Sequence, residues 1–394
     1  MMRILMILQT DFPPDIRVEK EAKALLSAGH EIHLVCKNQR NLPEEDGYSN
    51  IHIHRLRTPG TFSPRISSLL MFPAPHNPVW KKRVYGVIRY NQIEAIHVHD
   101  LPLAPLAIKA GKKFGIPVVF DMHENYPEAL KAWNKRGIEK LLKNHKVAKW
   151  VERRAVRQTT RIIVVVEEQK ERLVQEGVSA EKITIVSNTV DLERFRATEK
   201  NQRVRKQMNE DFILSYAGGI DENRGLETLI KGFSIANKQL ASTKLVIIGD
   251  GRSRPRLEKL AADYGLEESV VFPGWIDFDQ LPGWIAASDV CLIPQPANGH
   301  ANTTIPHKIF QYMALGKPII TSDAKPLARI VTECQCGEYF RSDSPEDLAQ
   351  VIIRMYHSAE QYGENGKKWV NKKYNWQITS KALLEVYNSL NRQD

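Results

Sequence analysis

Residues 212–225 read FILSYAGGIDENRG. A short apolar run, Phe212 to Ala217, meets two glycines and then a segment that opens a helix near Arg224. Strand, glycine turn and helix in that order are the unit of a parallel α/β sheet. Gly218 and Gly219 let the backbone approach a ligand closely, and Arg224 supplies a fixed cation beside them, a combination that suits a diphosphate. Taken alone, the stretch is equally a tight turn with a solvated arginine.

The same alternation spreads both ways from this stretch. Upstream, Arg3 to Leu8, Glu31 to Cys36, Ile51 to Leu56, Ala95 to His99, Pro117 to Asp121, Arg161 to Val166 and Lys182 to Val186 have buried-strand character. Helix periods and stop signals lie between them, as in Arg17 to Ala28 with Gly29, and Leu103 to Phe114 with Gly115. Downstream, strands are expected at Lys244 to Ile248, Ser269 to Phe272, Asp289 to Ile293 and Pro318 to Thr321, with helices beginning near Arg224, Ser253, Asp279, Pro306 and Ala324. A polar stretch without apolar period, Ala197 to Asp211, separates the two series. The expected domains are therefore 1–196 and 212–375, joined by a linker at 197–211, with the last helix, about 376–394, packing back on the first. Each is a Rossmann-like, doubly wound parallel sheet, and ligands of such sheets bind at the carboxyl ends of the strands.

A chain of 394 residues is long enough for two full cores. No stretch approaches the roughly 20 apolar residues of a membrane span, and the N-terminus lacks a cleavage site behind an apolar core, so a cytoplasmic protein is expected. Four cysteines, Cys36, Cys291, Cys334 and Cys336, lack the spacing of a zinc site and are expected as free thiols. The net charge of +10 sits entirely in residues 1–200, which hold 33 Lys+Arg against 23 Asp+Glu. Its densest part, Lys135 to Arg157, places Ile138, Leu141, Leu142, Val147, Trp150 and Val151 at helical spacing between the cations. That stripe either faces an anionic membrane surface, making the protein peripheral, or packs on its own domain. Nucleic acid is not an expected partner, because no recognition motif or interleaved aromatic series accompanies the patch.

A second constellation is His300-Ala-Asn-Thr-Thr-Ile-Pro-His-Lys-Ile-Phe-Gln-Tyr-Met-Ala-Leu-Gly-Lys-Pro318. Pro306 as an early helix residue leaves the amides of Thr303, Thr304 and Ile305 as expected donors to an anion. Lys308 adds charge in the first turn, Gln311 shares its face, and Asn302 belongs to the same loop.

With these residues quoted, the chain resembles the retaining GT-B glycosyltransferases of glycosyltransferase family 4. Asn188-Thr-Val-Asp-Leu-Glu-Arg-Phe195 is similar to the family's Asn-Gly-Val-Asp-x-x-x-Phe segment. Gly218-Gly219-Ile220 with Arg224-Gly225 resembles its Gly-Arg-Leu and Lys-Gly, and Ile248-Gly-Asp-Gly251 its second glycine turn. Phe272-Pro-Gly-Trp275 resembles the segment that meets the nucleotide base, and Phe310 to Pro318 the Phe-Glu-Tyr-Met-Ala-x-Gly-x-Pro helix. The resemblance implies a GT-B fold, two such domains facing a central cleft, the first for acceptor and the second for nucleotide-sugar. It also implies transfer with retention, without metal, of a hexose or N-acetylhexosamine from a nucleotide-diphosphate sugar, UDP favoured, to a lipid-linked or polysaccharide-precursor acceptor. No other cofactor is expected. Where the family usually has two glutamates eight positions apart, this chain has Thr303 and Gln311, marking a divergent subgroup.

On this reading the catalytic residues are His123, Arg224 and Lys308. The donor contacts are Gly218, Gly219, Asn223, Gly249, Asp250, Trp275, Asn302, Thr303, Thr304, Ile305 and Gln311. Asp15, Arg17, Glu124 and Asn125 take the acceptor side, Asp11 being a further resident of that loop, while His97 and His99 are expected as structural histidines. Asp277-Phe-Asp279 superficially gives the Asp-x-Asp of metal-dependent sugar transferases, but its neighbours place it at a helix start, where aspartates cap amides. Three other readings compete: a glycoside hydrolase, which needs a carboxylate opposite Asp121 or Glu124; a non-catalytic sugar-nucleotide-binding scaffold; and a UDP-sugar epimerase of the same architecture.

Overall fold

The computed structural model describes residues 1–57, 77–132, 144–195, 205–206, 212–240 and 242–390. They fall into two units, Met1–Ser187 with Ser380–Asp394, and Asn188–Thr379.

The first unit is built on strands β1 (Arg3–Asp11), β2 (Glu31–Lys37), β3 (Glu45–Tyr48), β4 (Ile51–Arg55), β5 (Ala95–His99), β6 (Val118–Met122), β7 (Arg161–Val164) and β8 (Ile183–Ile185). They form one sheet in the order β3-β4-β2-β1-β5-β6-β7-β8. Seven strands are parallel and β3 alone runs antiparallel, against β4. The sequence pattern missed β3 because Glu-Asp-Gly-Tyr has neither β-branched residues nor alternation; it is an exposed edge strand held by charge, not a buried one. The core gathers Leu5, Ile7, Ile96, Val98, Phe120, Ile162 and Val164 from the sheet with Trp80, Val84 and Leu106 from the helices. The C-terminal helix Trp376–Leu390 places Leu383, Val386 and Tyr387 in buried positions.

The second unit carries β9 (Phe212–Ala217), β10 (Thr243–Ile248), β11 (Val270–Gly274), β12 (Val290–Ile293), β13 (Ile319–Ser322) and β14 (Gly337–Phe340), all parallel, in the order β11-β10-β9-β12-β13-β14. Strand order reverses between β9 and β12, and the crevice that such a reversal opens lies beyond their carboxyl ends. In the first unit the corresponding reversal lies between β1 and β5. β14, only half buried, escaped the sequence pattern.

Several expectations are corrected. The helix expected from Pro306 begins at Lys308, because His307, in helical conformation, caps it and its carbonyl accepts from Phe310 and Gln311. The helix expected near Asp279 begins at Leu281; the preceding turn uses the carbonyl of Asp277, not an aspartate side chain, to meet Gln280 and Leu281 amides. Of the basic segment, 133–143 lie outside the described residues. In the described helix His145–Gln158 the apolar stripe packs on its own domain, with Ala148, Val151, Ala155 and Val156 in the core and Val147 packed against it. Trp150 instead points outward, 62% exposed. Of the linker stretch only 205–206 are described, and Arg205 is bonded to Asp289 at 2.8 Å. The four cysteines are free and buried. Among the described residues no helix is long and apolar enough to cross a membrane.

Candidate active site

Three strand ends build the second unit's site. The Gly218 amide donates to the Ile248 carbonyl, Gly249 to Gly274, and Ile220 to Asp250, so the loops after β9, β10 and β11 are tied edge to edge by backbone. Side chains would not fit between them. A Cβ on Gly249 would lie 2.1 Å from the Gly218 carbonyl oxygen, and one on Gly251 2.3 Å from that of Ile220. Gly225 closes the other side, its backbone lying against the Pro294 carbonyl just past β12.

At the reversal point between β9 and β12 sits Lys308. Its Nζ lies 4.1 Å over the Tyr216 ring and occupies the space where a Gly218 Cβ would be. Tyr216 is itself fixed, donating to the Gly219 carbonyl at 2.8 Å. Burial and the adjacent Arg224 charge lower the Lys308 pKa to about 7. The Arg224 Nε is buried without a hydrogen-bond partner, and neither cation forms an ion pair with a carboxylate among the described residues. The structure thus brings Gly218, Gly219, Arg224 and Lys308 together, with Asn223 in the short 3₁₀ turn that carries Arg224. Arg224 is near enough for its charge to lower the Lys308 pKa, and the Asp221 carboxylate lies by Gly219 in the same turn.

The loop before Lys308 differs from expectation in one respect. Thr303 does not offer a free amide: its N–H donates to His300 across a 3₁₀ turn. Its hydroxyl donates to the Gly299 carbonyl and that of Thr304 to His300, so both hydroxyl protons are engaged by backbone. The Asn302 side-chain oxygen accepts from the Lys325 amide, and Ile305 is buried. Gln311 is 7% exposed. Asp250, exposed, bonds the Gly251 amide, and Trp275 stands 76% exposed after β11.

In the first unit, β5 reads Ala-Ile-His-Val-His, and its period of two puts His97 and His99 on one face. Register pairs His99 with Asp121 of β6. One Asp121 oxygen, Oδ2, then meets three imidazoles: His123 Nε2 at 2.6 Å, His99 Nδ1 at 2.9 Å and His97 Nε2 at 3.4 Å. Glu21, from the helix Ile16–Ser27, approaches His123 Nε2 at 3.3 Å and His97 Nε2 at 3.5 Å. Tyr387 meets His97 Nδ1 at 2.7 Å. Sequence reasoning missed Glu21 and Tyr387, which stand on amphipathic helices without any local motif.

Burial opposes a charge on His123, but the Asp121 and Glu21 carboxylates outweigh it and raise the pKa to about 10. Burial likewise pushes the Asp121 carboxyl up, yet the three histidines hold it well below the usual range. His97 is kept neutral by burial and by His99. His123 is 4% exposed, and both its ring nitrogens are buried without a hydrogen-bond partner, Nε2 meeting the carboxylates only as close approaches. His97 and His99 are therefore members of this charge cluster and not isolated strand residues. Glu21, His99, Asp121 and His123 offer ligand atoms within 4.8 Å of one another, the one group of described residues that could hold a metal ion. The 2.6 Å His123–Asp121 separation is that of a direct ion pair, shorter than the ~3.3 Å between ligands on a tetrahedral ion with bonds of about 2 Å.

The acceptor-side residues are in part structural. Asp15 caps the helix Ile16–Ser27, accepting from the Arg17 and Val18 amides, and pairs with the Arg17 guanidinium at 3.1 Å. Burial would raise its pKa, but Arg17 brings it below the usual value. Asn125 accepts from the Glu128 amide at the start of the helix Tyr126–Ala132. Glu124 is part-buried beside Asp100, whose carboxyl is raised by burial against the pull of Arg17 and His123. Asp11 holds the Gln39 and Arg40 amides and is committed there.

The comparisons with known proteins agree with this architecture. Residues 16–194 match the family description Glycosyltransferase Family 4, and residues 197–369 match Glycosyl transferases group 1. Two uncharacterized glycosyltransferases of Methanocaldococcus jannaschii are each 23% identical; the aligned segments cover 58% of both chains in one case, and 93% of this chain and 91% of the relative in the other. Sucrose-phosphate synthase from Thermosynechococcus elongatus superposes with a TM-score of 0.83 at 20% identity, covering 100% of both chains. HepE of Anabaena in complex with UDP superposes at 0.75 with 16% identity, covering 98% of this chain and 100% of that one. Two parallel-sheet units, glycine-tied strand ends and two matched glycosyltransferase regions together make the chain a GT-B glycosyltransferase, an enzyme that transfers a glycosyl group from a nucleotide sugar.

Proposed function

We propose that the donor is a UDP-hexose or UDP-N-acetylhexosamine and that the acceptor is a lipid-linked or polysaccharide-precursor glycan, with retention and without a metal ion. The observation that carries the reading is the Lys308–Arg224 pair at the β9/β12 reversal, two cations with no carboxylate partner among the described residues. As the bond from sugar to phosphate lengthens, negative charge grows on the β-phosphate. Fixed cations aimed at that position lower the barrier, the service a divalent ion renders elsewhere. The resemblance gives His123 a role near the transferring sugar, and the acceptor hydroxyl attacks from the face of the departing phosphate, which takes its proton. Gly218, Gly219, Asn223, Gly249 and Asp250 line the diphosphate, Trp275 meets the base, and Gln311 and the Asn302–Ile305 loop contact the sugar and ribose. The UDP bound to the structural neighbour HepE supports the choice of base.

The test is a panel of UDP- and GDP-sugars offered with and without EDTA, following nucleotide release and product anomer, on wild type, Arg224→Ala and Lys308→Ala. Turnover lower by about 10²- to 10³-fold in each variant, at unchanged thermal stability, is expected. Near-normal rates in both variants overturn the reading, and loss of wild-type activity in EDTA overturns its metal-free part.

The exposed face of the helix His145–Gln158 supports peripheral attachment to an anionic membrane: Lys146, Arg153, Arg154 and Arg157 are exposed around Trp150. Sedimentation with phosphatidylglycerol vesicles, reduced by salt and by Trp150→Ala, is the expected result; no sedimentation at low salt overturns it.

A further inference from the structure

A cavity of about 560 Å³ opens in the second unit, lined by Thr332, Gln335, Tyr339, Gln361, Tyr362 and Asn365. That volume is within the range of ligand clefts, roughly 300–1,000 Å³. Its place follows from the topology. Gln335 ends the helix Lys325–Cys334, Gly337 in the same wall is the first residue of β14, and Gln361, Tyr362 and Asn365 stand on the helix Glu360–Lys372. All six strands are parallel, so the amino end of β14 lies at the edge of the sheet opposite the turns that carry Gly218 and Gly249.

The wall favours neither sign of charge. Its one charged side chain, Glu338, is already matched: Oε2 accepts from Arg354 Nε at 2.9 Å and Nη2 at 2.7 Å, and Oε1 from the Tyr362 hydroxyl at 3.4 Å. Two helices end beside the cavity, at Cys334 and Ser358, and one begins at Glu360, so their dipoles oppose each other there. A phosphate or nucleotide finds no lysine or arginine in the wall to pair with. An apolar ligand would strand the amides and hydroxyls that crowd it.

Those groups suit a ligand that both donates and accepts. The Gln335 and Gln361 side chains are exposed and bond no other described residue, while Asn365 gives one N–H to the Gln335 carbonyl at 3.0 Å and keeps its Oδ1. Gln335 sits at φ 46°, in the left-handed region where a helix ordinarily ends on glycine. The strain brings an amide side chain into the wall. Tyr339, 49% exposed, and the half-buried Tyr362 add rings with apolar faces beside polar groups. A pyranose has the same two characters, hydroxyls around its rim and C–H groups on its faces.

We propose that this cavity is a carbohydrate-binding site separate from the transfer centre, holding a neutral saccharide by the Gln335, Gln361 and Asn365 amides and the Tyr339 and Tyr362 rings. The saccharide is bound there without reacting. The site rests on no part of the reading given to His123, Arg224 or Lys308.

The experiment is saturation-transfer NMR on the full-length protein in excess UDP, against neutral trisaccharides of glucose, galactose, mannose and N-acetylglucosamine. At least one trisaccharide receives saturation, and its dissociation constant rises about fivefold or more in Tyr339→Ala and about two- to tenfold in Gln361→Ala. Both residues are exposed, so the variants keep the fold, which thermal unfolding checks. UDP affinity and nucleotide release stay at wild-type values in both. Absence of binding by every trisaccharide overturns the site, and so does binding unaltered in both variants. Weakened UDP binding in either variant overturns its separateness. Inorganic pyrophosphate that binds in excess UDP and is lost in Tyr339→Ala overturns the neutral class of ligand. A failed donor assignment shows in Arg224→Ala and Lys308→Ala, which bind the trisaccharide as wild type does, so the two failures are told apart.

Discussion

The Lys308 ammonium fills the space that a Gly218 side chain would take: a Cβ there would fall 2.6 Å from Nζ and 3.2 Å from the Tyr216 hydroxyl. A glycine in the second unit's first turn and a lysine from a helix 90 residues on are thus one device for presenting charge. Gly218→Ala tests it. The obstructing atom is the end of a flexible side chain, so the protein folds, losing about 1–3 kcal/mol for an alanine at φ 146°. Lys308 is displaced, and the donor KM rises about tenfold or more in steady-state assays, while the acceptor KM stays put.

Gly249→Ala has the opposite balance. Here the added Cβ would meet the Gly218 carbonyl oxygen at 2.1 Å, and backbone cannot step aside as an ammonium does. Urea titration is expected to show a loss larger than that of Gly218→Ala, about 3 kcal/mol or more. Equal losses in the two variants would contradict the strand-end packing.

Donor binding should depend on pH through Lys308. In the free protein its pKa is lowered to about 7, so the ammonium is present below that pH and lost above it. A bound diphosphate favours the charged form, and binding above pH 7 must therefore take up a proton. Affinity for UDP measured by calorimetry falls with rising pH above 7, by up to about tenfold per unit. Lys308→Arg, whose charge does not titrate, flattens the profile. The sign for stability is reversed: between about 7 and the ordinary lysine value the unfolded chain binds the extra proton, so the unliganded fold gains stability as pH rises.

Asp15→Ala removes the cap of the helix that carries both Arg17 and Glu21. A loss of about 1 kcal/mol in denaturant unfolding is expected from the two amides left unpaired, most of it retained by Asp15→Ser. A full loss in the serine variant would assign the effect to the Arg17 ion pair instead.

Much of the fold could be seen in the sequence because central parallel strands are apolar on both faces. Phe212–Ala217 was bounded correctly to the residue for that reason, and so was Ala95–His99, whose other face carries two histidines. The same rule failed at β3 and β14, where a strand is held by its neighbour's backbone and carries no apolar signature. Lys308 and Arg224 were recognisable because glycine turns and a proline mark the chain locally. Glu21 and Tyr387 were not, since nothing near either residue announces that His97 and His123 lie beside them; their partners come from residues 76 to 290 positions away, and only the sheet register makes them neighbours. The Thr303 amide was misjudged for a smaller reason: the Asn298 side chain bonds the His300 and Ala301 amides and starts a 3₁₀ turn that consumes the Thr303 donor, a local competition that composition does not reveal.

Tyr387 belongs to the first unit although the whole second unit precedes it in the chain. Its contact with His97 therefore joins two pieces of sequence made before and after the intervening unit. The histidine centre is completed only after the residues of that unit have been synthesised, which gives the unit time to fold first.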